Sequence, residues 1–429
     1  MNKQALVYGF FRKHLLLVVI LILFSILSLL YSWCTPIFEY PDEQGHFSVV
    51  QHIAERGSLP VLSESSWLHE GYNPPLYYLL LVPLYRLVGQ DVDIQVNPSW
   101  GHGNPQVYLH DEAAESKYKM MFQILRLPNF VLSLLLLLVL YYTGLLLWEK
   151  QVYALAGMGF VAFIPQFTWL SGSIGSDIFY ALLSAVLLYC LLAVLRKGRV
   201  SFRMSMIIGI TLGLGLLLKY QMLLFLPIIL LVFIIRPKAN RFLVLSLFLA
   251  FVLAGWFYLR NFQLYGEIIP WTLYKGVYSS LLGSNNQPLS PMYWLFYIIS
   301  LFLTFWGEFD HGYFFLPAFL YAGYLFMTCI LGVGVFLGRK SITRTDSLVY
   351  GSVFLLTNGL VFFYGLRFSV ILQGRFLFPA LGCFSWLAVA GLQLWEQRGK
   401  WILPLLGCVY LGMNIICFVV LFLGERVST

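Results

Sequence analysis

The sequence predicts an all-α protein that crosses a membrane about eleven times, and three observations carry that class. Of its 429 residues 60% are hydrophobic, and the mean hydropathy is +0.80. Only 11% are charged, against about 25% in soluble domains. The apolar residues gather into runs long enough to cross about 30 Å of hydrocarbon as helix, separated by short turns rich in cations.

The first run, 14–33, reads as a retained anchor. It lacks an A-x-A-like cleavage site, and Tyr31 and Trp33 suit an interface belt. Further spans follow at 128–147, 152–170, 177–195, 203–219, 221–235, 242–260, 313–337, 347–366, 376–394 and 401–423. Two shorter runs, 75–88 and 291–306, contain or adjoin proline, and counting both as spans would give thirteen. Making 291–306 a span would place Arg339, Lys340 and Arg344 outside, so it reads as re-entrant or interfacial. The run 75–88, announced by Asn73-Pro74-Pro75, reads as a membrane-surface helix. A second surface helix is expected at 46–57, where Phe47, Val50, Ile53 and Ala54 recur opposite Gln51, Glu55 and Arg56. The chain is thus expected to be one integral membrane domain over 1–429. Residues 1–13 are cytoplasmic, 34–127 form the first external loop, and 261–312 form a second large external segment.

The net charge of +8 splits by side, so it is not a nucleic-acid signal. Sixteen of the 27 bases lie in the short turns: Lys3, Arg12, Lys13, Lys150, Arg196, Lys197, Arg199, Arg203, Arg236, Lys238, Arg241, Arg339, Lys340, Arg344, Arg398 and Lys400. Of the 19 acids only Glu149, Asp346 and Glu396 join them. By the positive-inside rule these turns are cytoplasmic. The six cysteines have no metal-type spacing and read as buried small hydrophobes.

The string YPDEQGHF at 40–47 places Asp42, Glu43 and His46 within a few residues of the first span. On a helix, positions 42 and 46 share a face. Asp42 is therefore a candidate catalytic base, with Glu43 a supporting or metal-binding acid, against the plainer role of capping a surface helix. Asp177, in SGSIGSDIF, is either a helix cap or a second functional acid. Lys219 ends one apolar run as the next begins, so its ammonium must snorkel outward or find an anion; an uncompensated charge at membrane depth costs about 2.5–3.5 kcal/mol. Arg260 and Arg375 also stand at outer helix ends. Each cation alone suits an interface anchor, while the three together would make a site for a lipid phosphate. Asp42, Glu43 and Asp177 offer oxygen ligands to a divalent metal ion, although a full ligand set cannot be counted. The histidines include no HExxH pair, and five of the seven, His46, His52, His69, His102 and His110, fall in the first loop.

The ordered strings YPDEQGHF, EGYNPPLYYLLL (70–81), ILRLPNF (124–130), GWFYLRNFQLYGE (255–267) and QGRFLFPAL (373–381) resemble the GT-C superfamily of membrane glycosyltransferases. The resemblance is to bacterial relatives of protein O-mannosyltransferases and lipid A aminoarabinose transferases. FIPQFTWLSGSIGSD and LTFWGEFD also resemble a bacterial branch with a Pro-Asp-Glu-x-x-His-Phe signature. It implies a GT-C fold, a polyprenyl-phosphate-linked sugar donor, a glycan, lipid or protein acceptor, and inverting transfer outside the cytoplasm. It maps the base onto Asp42 and a second acid onto Asp177. His46, as the neighbour of Asp42, and Tyr77 are read beside them as supporting residues. This chain has Asn73 where many relatives carry Lys or His, so Lys219 or Arg260 would have to supply that phosphate contact.

The chemistry agrees. A lipid-linked sugar phosphate is already activated, so the reaction needs no GxxxxGK nucleotide loop, and the sequence has none. It needs a base for the acceptor hydroxyl and fixed cations for the departing phosphate. The competing class, a transporter or flippase, expects acids at the bilayer midplane and often an internal repeat. No repeat is visible here.

Overall fold

The computed structural model describes residues 3–62, 68–94, 107–109, 112–198, 200–236, 240–282, 290–309, 314–338, 343–367, 373–396, 399 and 401–423. His102, His110, Arg199, Lys238, Arg339, Lys340, Arg398 and Lys400 lie outside them.

The described chain is a helical array: α1 Lys3–Cys34, α2 Glu43–Arg56, α3 Leu76–Val88, α4 Glu112–Trp148, α5 Gln151–Ala162, α6 Pro165–Leu170, α7 Asp177–Lys197 and α8 Phe202–Leu216. Then come α9 Phe225–Ile235, α10 Asn240–Tyr265, α11 Trp271–Leu282, α12 Pro291–Trp306, α13 Ala318–Gly338, α14 Arg344–Arg367, α15 Leu381–Glu396 and α16 Ile402–Leu423. Two-residue strands β1 Glu308–Phe309 and β2 Phe314–Phe315 pair antiparallel.

Eight stretches are long and apolar enough to cross a membrane, and all eight fall on runs expected from the sequence. The other three expected spans are interrupted. The run 152–170 breaks between α5 and α6, where Pro165 cannot donate to the helix ladder. The run 203–219 holds only the 15 residues of α8, and 221–235 opens with a 3-10 turn, Tyr220–Leu224, before the 11 residues of α9. Residues 112–127, counted within the first external loop, are helical and continue α4, because EAAESKYKMMFQ is built from helix formers. The two stretches expected as surface helices are helical as α2 and α3, and 291–306 is helical as α12.

Close helix approach depends on small residues. On α8, a side chain at Gly209 or Gly213 would collide with Ser246 or Leu253 of α10. Ser205 and Ser246 hydrogen-bond across the same contact at 3.0 Å. Two apolar cores result. One joins α2 and α3 to α7–α9 through Phe47, Tyr77, Phe122 and Leu187; the other joins α1, α6 and α12–α16 through Phe24, Trp169, Trp306 and Tyr324. The cysteine expectation holds only for Cys190, Cys383 and Cys417. Cys34, Cys329 and Cys408 are exposed on helices whose outer faces are apolar, and none of the six described cysteines is in a disulfide.

Two of the three acids assigned to the cytoplasmic side have side-chain partners. Asp346 pairs with Arg196, and Glu396 accepts a hydrogen bond from Tyr153. Asp42, Asp177, Lys219 and Arg375 stand at the opposite helix ends: after α1, at the start of α7, after α8, and just before α15.

Candidate active site

Glu43 and Arg126 build the platform on which Asp42 sits. Arg126 donates to both Glu43 oxygens, at 2.9 Å from Nε and 2.7 Å from Nη2. The Glu43 carboxylate also accepts from Phe38 N and Ile174 N, each at 3.0 Å. The remaining guanidinium hydrogens go to the carbonyls of Ser32, Thr35 and Pro36. This buried, fully bonded pair clamps the turn between α1 and α2. Within that turn Phe38 and Asp42 both hold positive φ, 69° and 60°. Aspartate tolerates that region better than most residues, whereas a phenylalanine there is held by its surroundings.

Asp42 occupies the N-cap position of α2 but makes no side-chain capping bond. Its carboxylate turns away and accepts from Arg375 Nη2 at 2.5 Å. The other arm of Arg375 reaches Asp177 Oδ2 at 3.1 Å, and Lys219 bonds Asp177 Oδ1. The result is a chain of alternating charge, Asp42–Arg375–Asp177–Lys219. Asp177 is the first residue of α7, where Ser176 holds the cap position. Arg375 is aimed by the 3-10 turn Gly374–Ala380: Gly374 N donates to Thr304 Oγ1 at 2.7 Å. A side chain at Gly374 would lie 2.3 Å from Phe305 N, so only glycine admits this approach.

These charges line a cleft of about 140 Å³ together with His46, Glu70, Tyr72, Asn73, Gln221, Tyr274, Tyr364, Gln373 and Phe376. Asp42 is 41% exposed there, against 0% for Glu43. Beside Asp42, His46 Nδ1 lies 3.1 Å from the Tyr78 hydroxyl and 3.9 Å from Glu70 Oε2. Asn73 donates to the same Glu70 oxygen at 2.5 Å. Burial holds the His46 imidazole below its ordinary pKa, with Glu70 and Asp42 opposing that shift. Tyr77 donates no charge to the site; its hydroxyl accepts from Gly175 N at 2.9 Å and fixes the turn before Asp177. Burial also raises Glu308, on β1, to about 7, with Arg375 opposing the shift.

A family described as dolichyl-phosphate-mannose-protein mannosyltransferase matches residues 120–259. No curated protein sequence matches. Among solved structures, ArnT from Cupriavidus metallidurans bound to undecaprenyl phosphate is 15% identical, with a TM-score of 0.57 over 96% of this chain and 71% of that one. The archaeal oligosaccharyltransferase AglB from Archaeoglobus fulgidus, in complex with an inhibitory peptide and a dolichol-phosphate, is 13% identical, with a TM-score of 0.53 over 95% of this chain and 54% of that one. The fold is that of the GT-C glycosyltransferases.

Within this GT-C fold, the sequence-derived residues separate into two groups. Asp42, His46, Asp177, Lys219 and Arg375 share one cleft. Glu43 does not; its four N–H partners leave it no face for substrate. Arg260 is also elsewhere, donating to Pro60 O at 2.8 Å, and it touches none of the four charges. Of the three acids offered to a metal ion, Glu43 is taken up by Arg126, and among the described residues no group of three His, Cys, Asp or Glu side chains is placed to hold one. The sequence gives little signal for Gln221, Tyr274, Tyr364 or Gln373. Glu70 and Asn73 lie inside a quoted motif, but their contact with His46 depends on how α2 packs against α3.

Proposed function

We propose that this protein is an inverting glycosyltransferase. It moves a sugar from a polyprenyl-phosphate-linked donor to an acceptor hydroxyl at the extracytoplasmic face of the cell membrane. One observation carries the reading: an exposed carboxylate, Asp42, shares a cleft with two cations, the buried Arg375 and the partly buried Lys219, which Asp177 holds together. All four stand at the helix ends opposite the cation-rich turns, which is the outer side by the positive-inside rule.

In this reading the donor phosphate docks on Arg375 and Lys219. Arginine offers a planar fork to phosphate oxygens and lysine a compact charge. As the C1–O bond to phosphate breaks, those cations stabilise the charge that develops, in a site already organised for it. Asp42 takes the proton of the acceptor hydroxyl on the opposite side of the sugar, and the configuration inverts. The bound undecaprenyl phosphate of ArnT and the dolichol-phosphate of AglB support a polyprenyl phosphate as the lipid here. A transporter would favour acids at mid-membrane, whereas these acids cluster at one end.

The test pairs purified protein in lipid nanodiscs with radiolabelled polyprenyl-phosphate sugars. In parallel, envelope glycans are compared by mass spectrometry with and without the gene. A glycan that disappears with the gene, and a donor consumed only in the presence of protein, are the expected results. Unchanged glycans and no donor turnover would reject the reading.

A further inference from the structure

His46 is a base whose tautomer is set by its surroundings. The Tyr78 hydroxyl donates its single proton to the Glu70 carbonyl at 3.0 Å. The 3.1 Å contact between Tyr78 and His46 Nδ1 must then run the other way, with Nδ1–H donating and the phenolic oxygen accepting. That leaves Nε2 as the lone-pair nitrogen. Nε2 makes no hydrogen bond among the described residues, and His46 lines the cleft beside Asp42.

Asp42 cannot keep a proton without weakening its charge-assisted bond to Arg375. His46 has no such conflict. On protonation its Nδ1–H stays on Tyr78, and the Glu70 carboxylate, 3.9 Å away, compensates the new charge. We propose that His46 is the second proton carrier of the cleft, receiving from Asp42 the proton released by the acceptor hydroxyl. The inference rests on the transferase reading above. The acceptor oxygen bonds to sugar C1, and the C1–O bond to phosphate breaks, its electron pair leaving with the polyprenyl phosphate. The proton passes from acceptor to Asp42 and on to Nε2, and the imidazolium returns it to water in the open cleft. Asp42 is thereby restored to its pair with Arg375.

The groups facing His46 are Glu70, Asp42 and Asp177, which favour its charged form, Lys219, which opposes it, and the hydroxyls of Tyr77 and Tyr78. Burial is the largest influence and keeps the ring neutral at neutral pH. The carrier is therefore ready above its pKa and is lost as pH falls through a value below 6.5.

The experiment measures kcat/KM against pH for the wild type, His46→Gln and Tyr78→Phe in nanodiscs, alongside ¹⁵N NMR of histidine-labelled protein. His46→Gln is expected to lower transfer by about 10²-fold and to abolish the acidic limb assigned to His46. Tyr78→Phe should keep the histidine but release its tautomer, giving a smaller loss. The wild-type spectrum should show a neutral ring protonated on Nδ1 at pH 7. A retained acidic limb in His46→Gln, or an Nε2-protonated ring in the wild type, would overturn the carrier while leaving the transferase reading intact. Absence of transfer by the wild type from every polyprenyl-phosphate donor would remove both.

Discussion

Arg375 holds Asp42 at 2.5 Å through one terminal nitrogen, and with the other it reaches Asp177 at 3.1 Å. One guanidinium thus sets the distance between Asp42 and the acid that anchors Lys219. The two carboxylates cannot drift apart without breaking a charge-assisted bond.

Asp42→Asn keeps the shape of the side chain and removes its basicity. Transfer should fall by about 10²–10⁴-fold with expression and thermal stability close to wild type. Undiminished transfer by the purified variant would take the base role away from Asp42.

Lys219→Gln and Arg375→Lys should both weaken use of the donor. Lys219→Gln leaves Asp177 one cation short, and Arg375→Lys keeps the charge but loses the fork that spans Asp42 and Asp177. Steady-state kinetics with varied donor should show a higher KM, a lower kcat, or both. Arg260→Gln should leave donor kinetics unchanged, since Arg260 bonds Pro60 rather than the cleft.

Glu43→Gln should act on stability first. It leaves the buried Arg126 charge without its counterion, and breaking such a pair costs about 3–5 kcal/mol. Thermal unfolding in detergent should show a marked loss, with activity falling in proportion to the folded fraction at low temperature. A fully stable protein with no activity would instead return Glu43 to the chemistry.

Glu308→Gln should stabilise the protein at alkaline pH. The Glu308 pKa is raised from 4.5 to about 7 on folding, so between those values the native state binds the proton more tightly than the unfolded chain. Stability contributed by this group therefore falls as pH rises through that window. The variant should melt higher than wild type at pH 8 and the same at pH 5.

Topology can be read with single cysteines in a cysteine-free background. Arg56→Cys, at the exposed end of α2, and Ser201→Cys, in the turn before α8, should label with an impermeant thiol reagent from opposite sides. Labelling from one side would invert the placement of the cleft.

What was legible in the sequence was whatever local pattern decides. The long runs became helices because any 20-residue apolar stretch must bond its backbone internally in lipid. Asp42, Asp177, Lys219 and Arg375 stood out because charge beside such runs is costly. Glu43 reads in the sequence as one more acid beside Asp42 because its partner, Arg126, is 83 residues away, and no local rule pairs them. Arg260 looked equivalent to Arg375 because both end helices, and only packing distinguishes a cation aimed at a carboxylate from one aimed at a carbonyl. The polar first turns of α4 carry too little hydropathy to be drawn as part of a span, so the expected run begins only at 128.

The four charges come from distant parts of the chain, and this gives the site a history within each molecule. During membrane insertion Asp177 and Lys219 can meet as soon as α8 follows α7. Asp42, already waiting beside the first helix, gains its guanidinium only when the segment carrying Arg375 arrives. A nascent chain halted before that point would hold the Asp177–Lys219 pair and no competent cleft. Catalytic capacity would then arise last, after nearly all of the membrane scaffold is in place, so that stalled translation products are inert.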